Sequence, residues 1–188
     1  MRADIERWER KYARGNPNPE FAPTPLLVAY RRLLTGSGLA LDVACGVGHN
    51  ALYLAGLGFE VFAADGSLRA LRYGREQARA RGLSVHWLAV DLDRFRPPPG
   101  RFDLVLVVKF LDRDLVPALR RSLSPGGLMI YETFNVNALA DKPDFNPAYA
   151  LRRGELAELF QDFETIATND SPTVREPLTH WIGRKPVR

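Results

Sequence analysis

Three aspartates and a pair of glycines carry most of the chemical potential of this chain. The stretch Leu39 to Gly48 reads Leu-Ala-Leu-Asp-Val-Ala-Cys-Gly-Val-Gly. It opens apolar, as a buried parallel strand does, and then turns into a glycine loop. His49 to Ala55 follows with helical character. Strand, glycine turn and helix together form a crossover suited to cradling a nucleotide. Gly46 and Gly48 lack a β-carbon, so the backbone can turn tightly and a ligand can approach it. The helix after them aims free N–H groups at that ligand. Asp42 precedes the glycines, Asp65 ends a second apolar run and Asp91 follows a third. In an open α/β sheet such strand ends meet the ligand. An acid after the second strand suits two ribose hydroxyls, and one after the third suits an adenine amino group. Each acid alone is ordinary turn chemistry, and Asp65-Gly66-Ser67 reads equally as a turn and a helix cap. In register with a glycine loop, the three are far more specific.

Two ligands compete for this arrangement. Gly46-x-Gly48-x-x-Ala51 fits a dinucleotide fingerprint, with Asp65 about twenty residues on. Against that reading, Asp42 would repel a pyrophosphate. An acid there suits a ligand with a positive end, such as the ammonium of an amino acid.

The elements that must hold these residues follow from periodicity. Ile5, Trp8 and Tyr12 share one face of a helix over residues 2–14, which Gly15 to Pro19 break. A second helix is expected from Pro25 to Leu34, with proline in its first turn. Strands are expected at Leu39–Ala44, Phe59–Ala64, Leu83–Val90, Phe102–Val108 and Leu128–Thr133. The helices between them cover His49–Leu57, Leu68–Arg81 and Arg113–Leu123, with Ser67 capping the second of these. This alternation means parallel strands joined by right-handed crossovers, a doubly wound α/β sheet. After Phe134 the rhythm changes. A polar loop is expected over 135–150, a helix over Leu151–Phe160, and strands at Phe163–Thr168 and His180–Gly183.

The motifs together resemble the class I S-adenosylmethionine-dependent methyltransferases over nearly the whole chain, about Ile5 to Lys185. Leu41-Asp42-Val43-Ala44-Cys45-Gly46-Val47-Gly48 is similar to their first motif. Phe62 to Ser67 resembles their second-strand acid, Val90-Asp91-Leu92 their adenine-side acid, and Leu123 to Leu128 the turn before their fifth strand. Gly48 to Ala55 is most similar to the small tellurite-resistance and thiopurine methyltransferase-like branch. The resemblance implies one domain over 1–188, with a helical lid over 1–35 and a sheet core over 39–188. It implies seven strands, mostly parallel, the last antiparallel, with helices on both faces. It further implies S-adenosylmethionine contacts from Tyr12, Asp42, Ala44, Cys45, Gly46, Gly48, Asn50, Asp65, Gly66, Ser67, Asp91, Leu92, Val108 and Lys109.

Methyl transfer from a sulfonium requires alignment and exclusion of water rather than a protein nucleophile. The sequence accordingly offers no catalytic dyad. A general base is needed only where the acceptor carries a proton that must leave. Lys109 and Arg113, after the fourth strand, would favour an anionic or soft small acceptor; the plainer reading is a surface lysine and a helix-start arginine. Trp8, Tyr12 and Arg14 form a lid in this scheme. Two alternatives stay open: a methyltransferase acting on RNA or protein, and a non-catalytic protein that binds the cofactor.

Bulk properties narrow the rest. With 26 basic and 22 acidic residues the chain is mildly basic, at net charge +4. The helix carrying Arg69, Arg72, Arg75, Arg79 and Arg81 invites a nucleic-acid reading. It has no interleaved aromatics to stack bases, and a solvated outer face is the expectation. The single cysteine, Cys45, excludes an internal disulfide, and three scattered histidines suggest no metal site. Cys45 reads as a packing residue rather than a nucleophile. With no membrane-length apolar run and a charged N-terminus, a cytoplasmic location is expected.

Overall fold

The computed structural model describes residues 2–14, 20–141, 144–171 and 175–187. Gly15 to Pro19, expected to break the first helix, lie outside the described residues. The chain divides into two compact units, Met1–Phe95 and Arg96–Arg188.

The first unit holds α1 (Arg2–Ala13), α2 (Pro25–Ala29), β1 (Leu39–Val43), α3 (His49–Gly56), β2 (Glu60–Asp65), α4 (Leu68–Ala80) and β3 (His86–Ala89). Its strands pair in parallel, β1 with β2 and β2 with β3. The second helix is shorter than expected. At Tyr30 the backbone leaves α geometry, and Arg31–Leu33 tighten into a 3-10 turn. The third strand also shrinks from Leu83–Val90 to His86–Ala89, the four residues that find partners on β2. Leu83 and Val85 instead pack with Trp87 against a core of Phe21, Val47, Leu52, Ala70 and Ala78.

The second unit holds β4 (Phe102–Val108), α5 (Val116–Ser122), β5 (Leu123–Phe134), α6 (Ala138–Asp141), α7 (Glu155–Leu159), β6 (Glu164–Thr168) and β7 (Leu178–Arg184). β4 pairs with β5 in parallel, and β7 runs antiparallel to both β5 and β6. Leu104 to Val107 are almost fully buried, which explains the unbroken apolar run of β4. On β7, Trp181 stacks on Phe160 at 4.8 Å between ring centroids.

The seven strands follow the order β3-β2-β1-β4-β5-β7-β6. This is the doubly wound, mostly parallel sheet expected from the sequence. Boundaries moved where local chemistry intervened. β5 begins at Leu123 rather than Leu128, because Leu123 already pairs with Phe102 and Ser124 to Gly127 bulge before pairing resumes at Leu128. α5 starts at Val116, since Pro117 belongs in a first turn. The polar loop over 135–150 contains α6 and a 3-10 turn at Pro147–Tyr149. α7 begins only after Gly154, which adopts a φ of 76°.

Candidate functional site

β1 delivers the chain to a tight turn at the end of the first unit's sheet. Ala44, Gly46 and Gly48 take φ values of 55°, 57° and 79°. Such angles cost a residue with a β-carbon about 1 kcal/mol or more, and glycine little. Ala44 is therefore a strained position beside two relaxed ones. Backbone bonds fix the turn: Cys45 N donates to Ala64 O at 3.1 Å and Gly48 N to Cys45 O at 2.9 Å. Gly48 begins α3, and Trp87 from β3 lies over it. A β-carbon on Gly48 would meet that indole at 2.3 Å.

Asp65, the last residue of β2, ties this loop to the next. Its Oδ2 accepts from Gly46 N and its Oδ1 from Ser67 N, each at 2.8 Å. Burial raises its carboxyl above the ordinary range, while these N–H groups pull the other way. Ser67 caps α4 as expected, its Oγ accepting from Ala70 N at 3.2 Å.

Asp42 is 1% exposed. One of its oxygens accepts from the Ala51 N–H. Its Oδ2 has no hydrogen-bond partner among the described residues. Burial, and then the neighbouring Asp65 charge, push this carboxyl up to about 8. A carboxyl held this way awaits a positive or hydrogen-bonding group. A folded-state value above the ordinary 3.8 adds stability below that pH, and the contribution is lost as pH rises through 8. Asp42→Asn should therefore raise the melting temperature of the ligand-free protein at pH 9 relative to native, and change it little at pH 5. Parallel melts of both proteins check this. An equal shift at both pH values would mean Asp42 is not the titrating group.

The N-terminal helix reaches the same place. The Tyr12 hydroxyl lies against Gly46, 2.5 Å from where a β-carbon there would stand, and Ile5 lies against Gly66. Burial raises the Tyr12 hydroxyl's pKa above its ordinary value, helped by Asp65. Trp8 stacks on Tyr12 at 5.9 Å. Glu9, which sequence reasoning did not single out, accepts from Ser67 Oγ at 2.8 Å and from Arg69 N at 3.0 Å. Its partners lie nearly sixty residues away, so no local pattern could have revealed it.

Other expected site residues are also placed. Cys45 is buried, its thiol pushed up by burial and by the two aspartates, as suits a packing role. Asn50 is buried, and its carboxamide oxygen accepts from Thr24 N at 2.8 Å, which ties α3 to the start of α2. Asp91 is exposed and accepts from Asp93 N at 3.2 Å, a turn geometry, while Leu92 is buried. On α4, Arg72, Arg75 and Arg79 are exposed, and Arg69 pairs with Glu9.

In the second unit, Val108 ends β4 half-buried. Lys109 follows in the left-handed region at φ 56°, its side chain exposed and its N–H donating to Glu132 O at 2.7 Å. Non-glycine residues held there cluster at functional sites. Arg113, read either as a cation for an anionic acceptor or as a helix-start arginine, is bound within its own unit. Its guanidinium is engaged by Glu155 at 2.5 and 3.0 Å and by the carbonyls of Ala148 and Ala150. Among the described residues, no group of three or more His, Cys, Asp or Glu side chains is placed to hold a metal ion. No helix among them is long and apolar enough to cross a membrane.

Comparison with known proteins agrees with this architecture. A methyltransferase domain family matches residues 40–127. The ubiquinone biosynthesis O-methyltransferase of Thiobacillus denitrificans is 34% identical over 136 residues, covering 65% of this chain and 58% of that protein. The chain thus spans a little over half the length of that relative. A structure described under the conversion of a disulfide bond into a thioacetal group during echinomycin biosynthesis superposes with a TM-score of 0.74. It is 25% identical and covers 98% of this chain and 94% of its own. TehB from Haemophilus influenzae superposes at 0.76 over 95% of this chain and 67% of that one; at 16% identity this shows the fold alone. Residues 40–127 match the methyltransferase domain family, and the chain shares its doubly wound fold with the solved structures it superposes on.

Proposed function

We propose that this chain moves the methyl group of S-adenosylmethionine to a small-molecule acceptor by in-line displacement. The observation that carries this reading is the clasp of Gly46 and Ser67 by Asp65, set beside an unpartnered buried Asp42 oxygen. A dinucleotide pyrophosphate does not suit that second acid, whereas the ammonium and sulfonium of S-adenosylmethionine do. When bound, the cofactor supplies an already activated methyl group.

The chain's own residues bind, orient and dry the site. Gly46 and Gly48 let the backbone come close, with Ala44 and Cys45 completing the turn. Asp42 faces the positive end of the ligand, and Asp65 accepts from ribose hydroxyls. Gly66, Ser67, Asp91 and Leu92 border the adenine, with Asn50 holding the loop's helix in place. Tyr12 and α1 cover the site as a lid and exclude water. Val108 and Lys109 remain expected cofactor contacts by resemblance. One domain over 1–188, with a lid over 1–35 and a core over 39–188, is part of this proposal, as is a cytoplasmic location.

The relative from Thiobacillus denitrificans is named an O-methyltransferase. That name supports an oxygen acceptor here, of small size. With Arg113 committed to Glu155, Lys109 is left as the cation favouring an anionic or soft acceptor. The test is incubation with methyl-labelled S-adenosylmethionine and a small-molecule extract. Label is expected in low-mass products. Label found instead in tRNA or protein, under the same conditions, would overturn the small-molecule reading.

A further inference from the structure

The glycine loop is enclosed. Asp42, Cys45, Gly46 and Gly48 are all buried, and the Tyr12 hydroxyl stands against Gly46. A ligand as large as a nucleoside cannot pass a fixed cover to reach such a loop, so some element must move. Within the first unit, α1 is the element least committed to its place. It has 12 residues, short enough that an isolated helix is marginal in water. None of its residues 5–13 is buried, and only Ile5, Glu9 and Tyr12 are half-buried. These stand at i, i+4 and i+7, on one stripe of the helix. Ile5 meets Gly66, Tyr12 meets Gly46, and Glu9 between them meets the first turn of α4. So narrow an apolar seam leaves the polar contact a large share of the docking.

We propose that Glu9 is the latch of this lid: its hold on Ser67 and Arg69 keeps α1 over the glycine loop and sets how fast S-adenosylmethionine and S-adenosylhomocysteine enter and leave. This rests on the cofactor reading above and adds a gate to it. No covalent step is involved. The lid opens when the Glu9 carboxylate exchanges its protein donors for water, and closes when it recovers them.

The geometry fits a fastening that can be undone. Glu9 Oε1 accepts from Ser67 Oγ at 2.8 Å and from Arg69 N at 3.0 Å, and its Oε2 lies 3.6 Å from Arg69 Nε. Burial alone would raise the Glu9 carboxyl. The Arg69 N–H, the Ser67 hydroxyl and the Arg69 charge outweigh it and hold the group below its ordinary 4.5, so it is charged near neutral pH. The Glu9 side chain is 32% exposed, so water is at hand and opening strands no buried charge. Ser67 is the shared point. Its hydroxyl donates to Glu9 and accepts from Ala70 N, while its N–H donates to Asp65. The lid is thus fastened to the residue that Asp65, the proposed ribose acceptor, holds in place.

The experiment follows S-adenosylhomocysteine binding to the full chain by stopped-flow tryptophan fluorescence. Trp8, stacked on Tyr12, and Trp87, over Gly48, report from beside the loop. Glu9→Ala is expected to raise the association and dissociation rate constants together, each about tenfold, as suits the loss of a hydrogen bond to a charged group. The dissociation constant should stay within about threefold, because the latch acts alike on the free and the bound protein. Arg69→Ala removes the ion pair but keeps the backbone N–H, and should raise both rates by less, about two- to threefold. If Glu9 only caps α4, Glu9→Ala would lower the melting temperature and leave both rates native, which overturns the latch. Faster dissociation at an unchanged association rate would overturn it too, as the mark of a direct ligand contact. In both cases native binding of S-adenosylhomocysteine leaves the cofactor reading standing. A native chain that does not bind S-adenosylhomocysteine would sink both.

Discussion

An Asp65→Ala variant is expected to bind S-adenosylhomocysteine roughly a hundredfold more weakly than the native chain, about 3 kcal/mol. Two effects add. The carboxylate is the proposed acceptor for ribose hydroxyls, and hydrogen bonds to a charged group contribute about 1.5–3 kcal/mol. It also receives the Gly46 and Ser67 N–H groups, so its loss frees the glycine loop from the start of α4. Asp65→Asn separates charge from shape. It keeps the size but offers one carboxamide oxygen where two carboxylate oxygens now accept. It should bind nearly as poorly as the alanine variant. Calorimetric titration of all three proteins checks this. An unchanged dissociation constant in Asp65→Ala would reduce Asp65 to a turn residue.

Glu155→Ala should lower folding stability by about 1–3 kcal/mol, because it leaves the Arg113 guanidinium, itself 39% exposed, and the Arg152 N–H without their buried acceptor. The Glu155 side chain is 3% exposed and takes a two-pronged contact from Arg113, together with Arg152 N at 2.8 Å. Arg113 also clasps the carbonyls of Ala148 and Ala150, so one ion pair ties the segment before α5 to the start of α7. Burial alone would raise the Glu155 carboxyl. The Arg113 and Arg152 donors outweigh it and hold the group below its ordinary value of 4.5. A depressed carboxylate stabilises above that pH, and its contribution is lost as pH falls through the folded-state value. The gap between native and variant in urea unfolding should thus be full at pH 7 and narrow below pH 4.5. An Arg113→Ala, Glu155→Ala double variant should cost no more than Glu155→Ala alone. A loss under 1 kcal/mol at pH 7 would show that the pair is not what holds α7.

What could be read from the sequence was local in character. The glycine loop, its flanking strands, the Ser67 cap and the buried β4 each declare themselves within about ten residues, through periodicity or a residue type that only one geometry needs. What could not be read depends on partners far along the chain. Arg113 looked like a free cation until Glu155, 42 residues on, was placed against it. Glu9 and Ser67 are 58 residues apart. The pairing of Glu132 with His180 needs the antiparallel register of β7. Asp91 matches the pattern of an adenine-side acid, and the structure adds only that it accepts from Asp93 N. Strand ends were misjudged where pairing rather than propensity sets the boundary, as at the short β3 and the bulged start of β5.

The claim beneath all of this is that the Gly46–Gly48 loop, Asp42 and Asp65 form a site for S-adenosylmethionine. Calorimetric titration of the native chain with S-adenosylhomocysteine and, separately, with NADH tests it most directly. Saturable binding of S-adenosylhomocysteine at one site per chain is expected, with no heat from NADH. Saturable binding of NADH with none of S-adenosylhomocysteine would contradict the assignment.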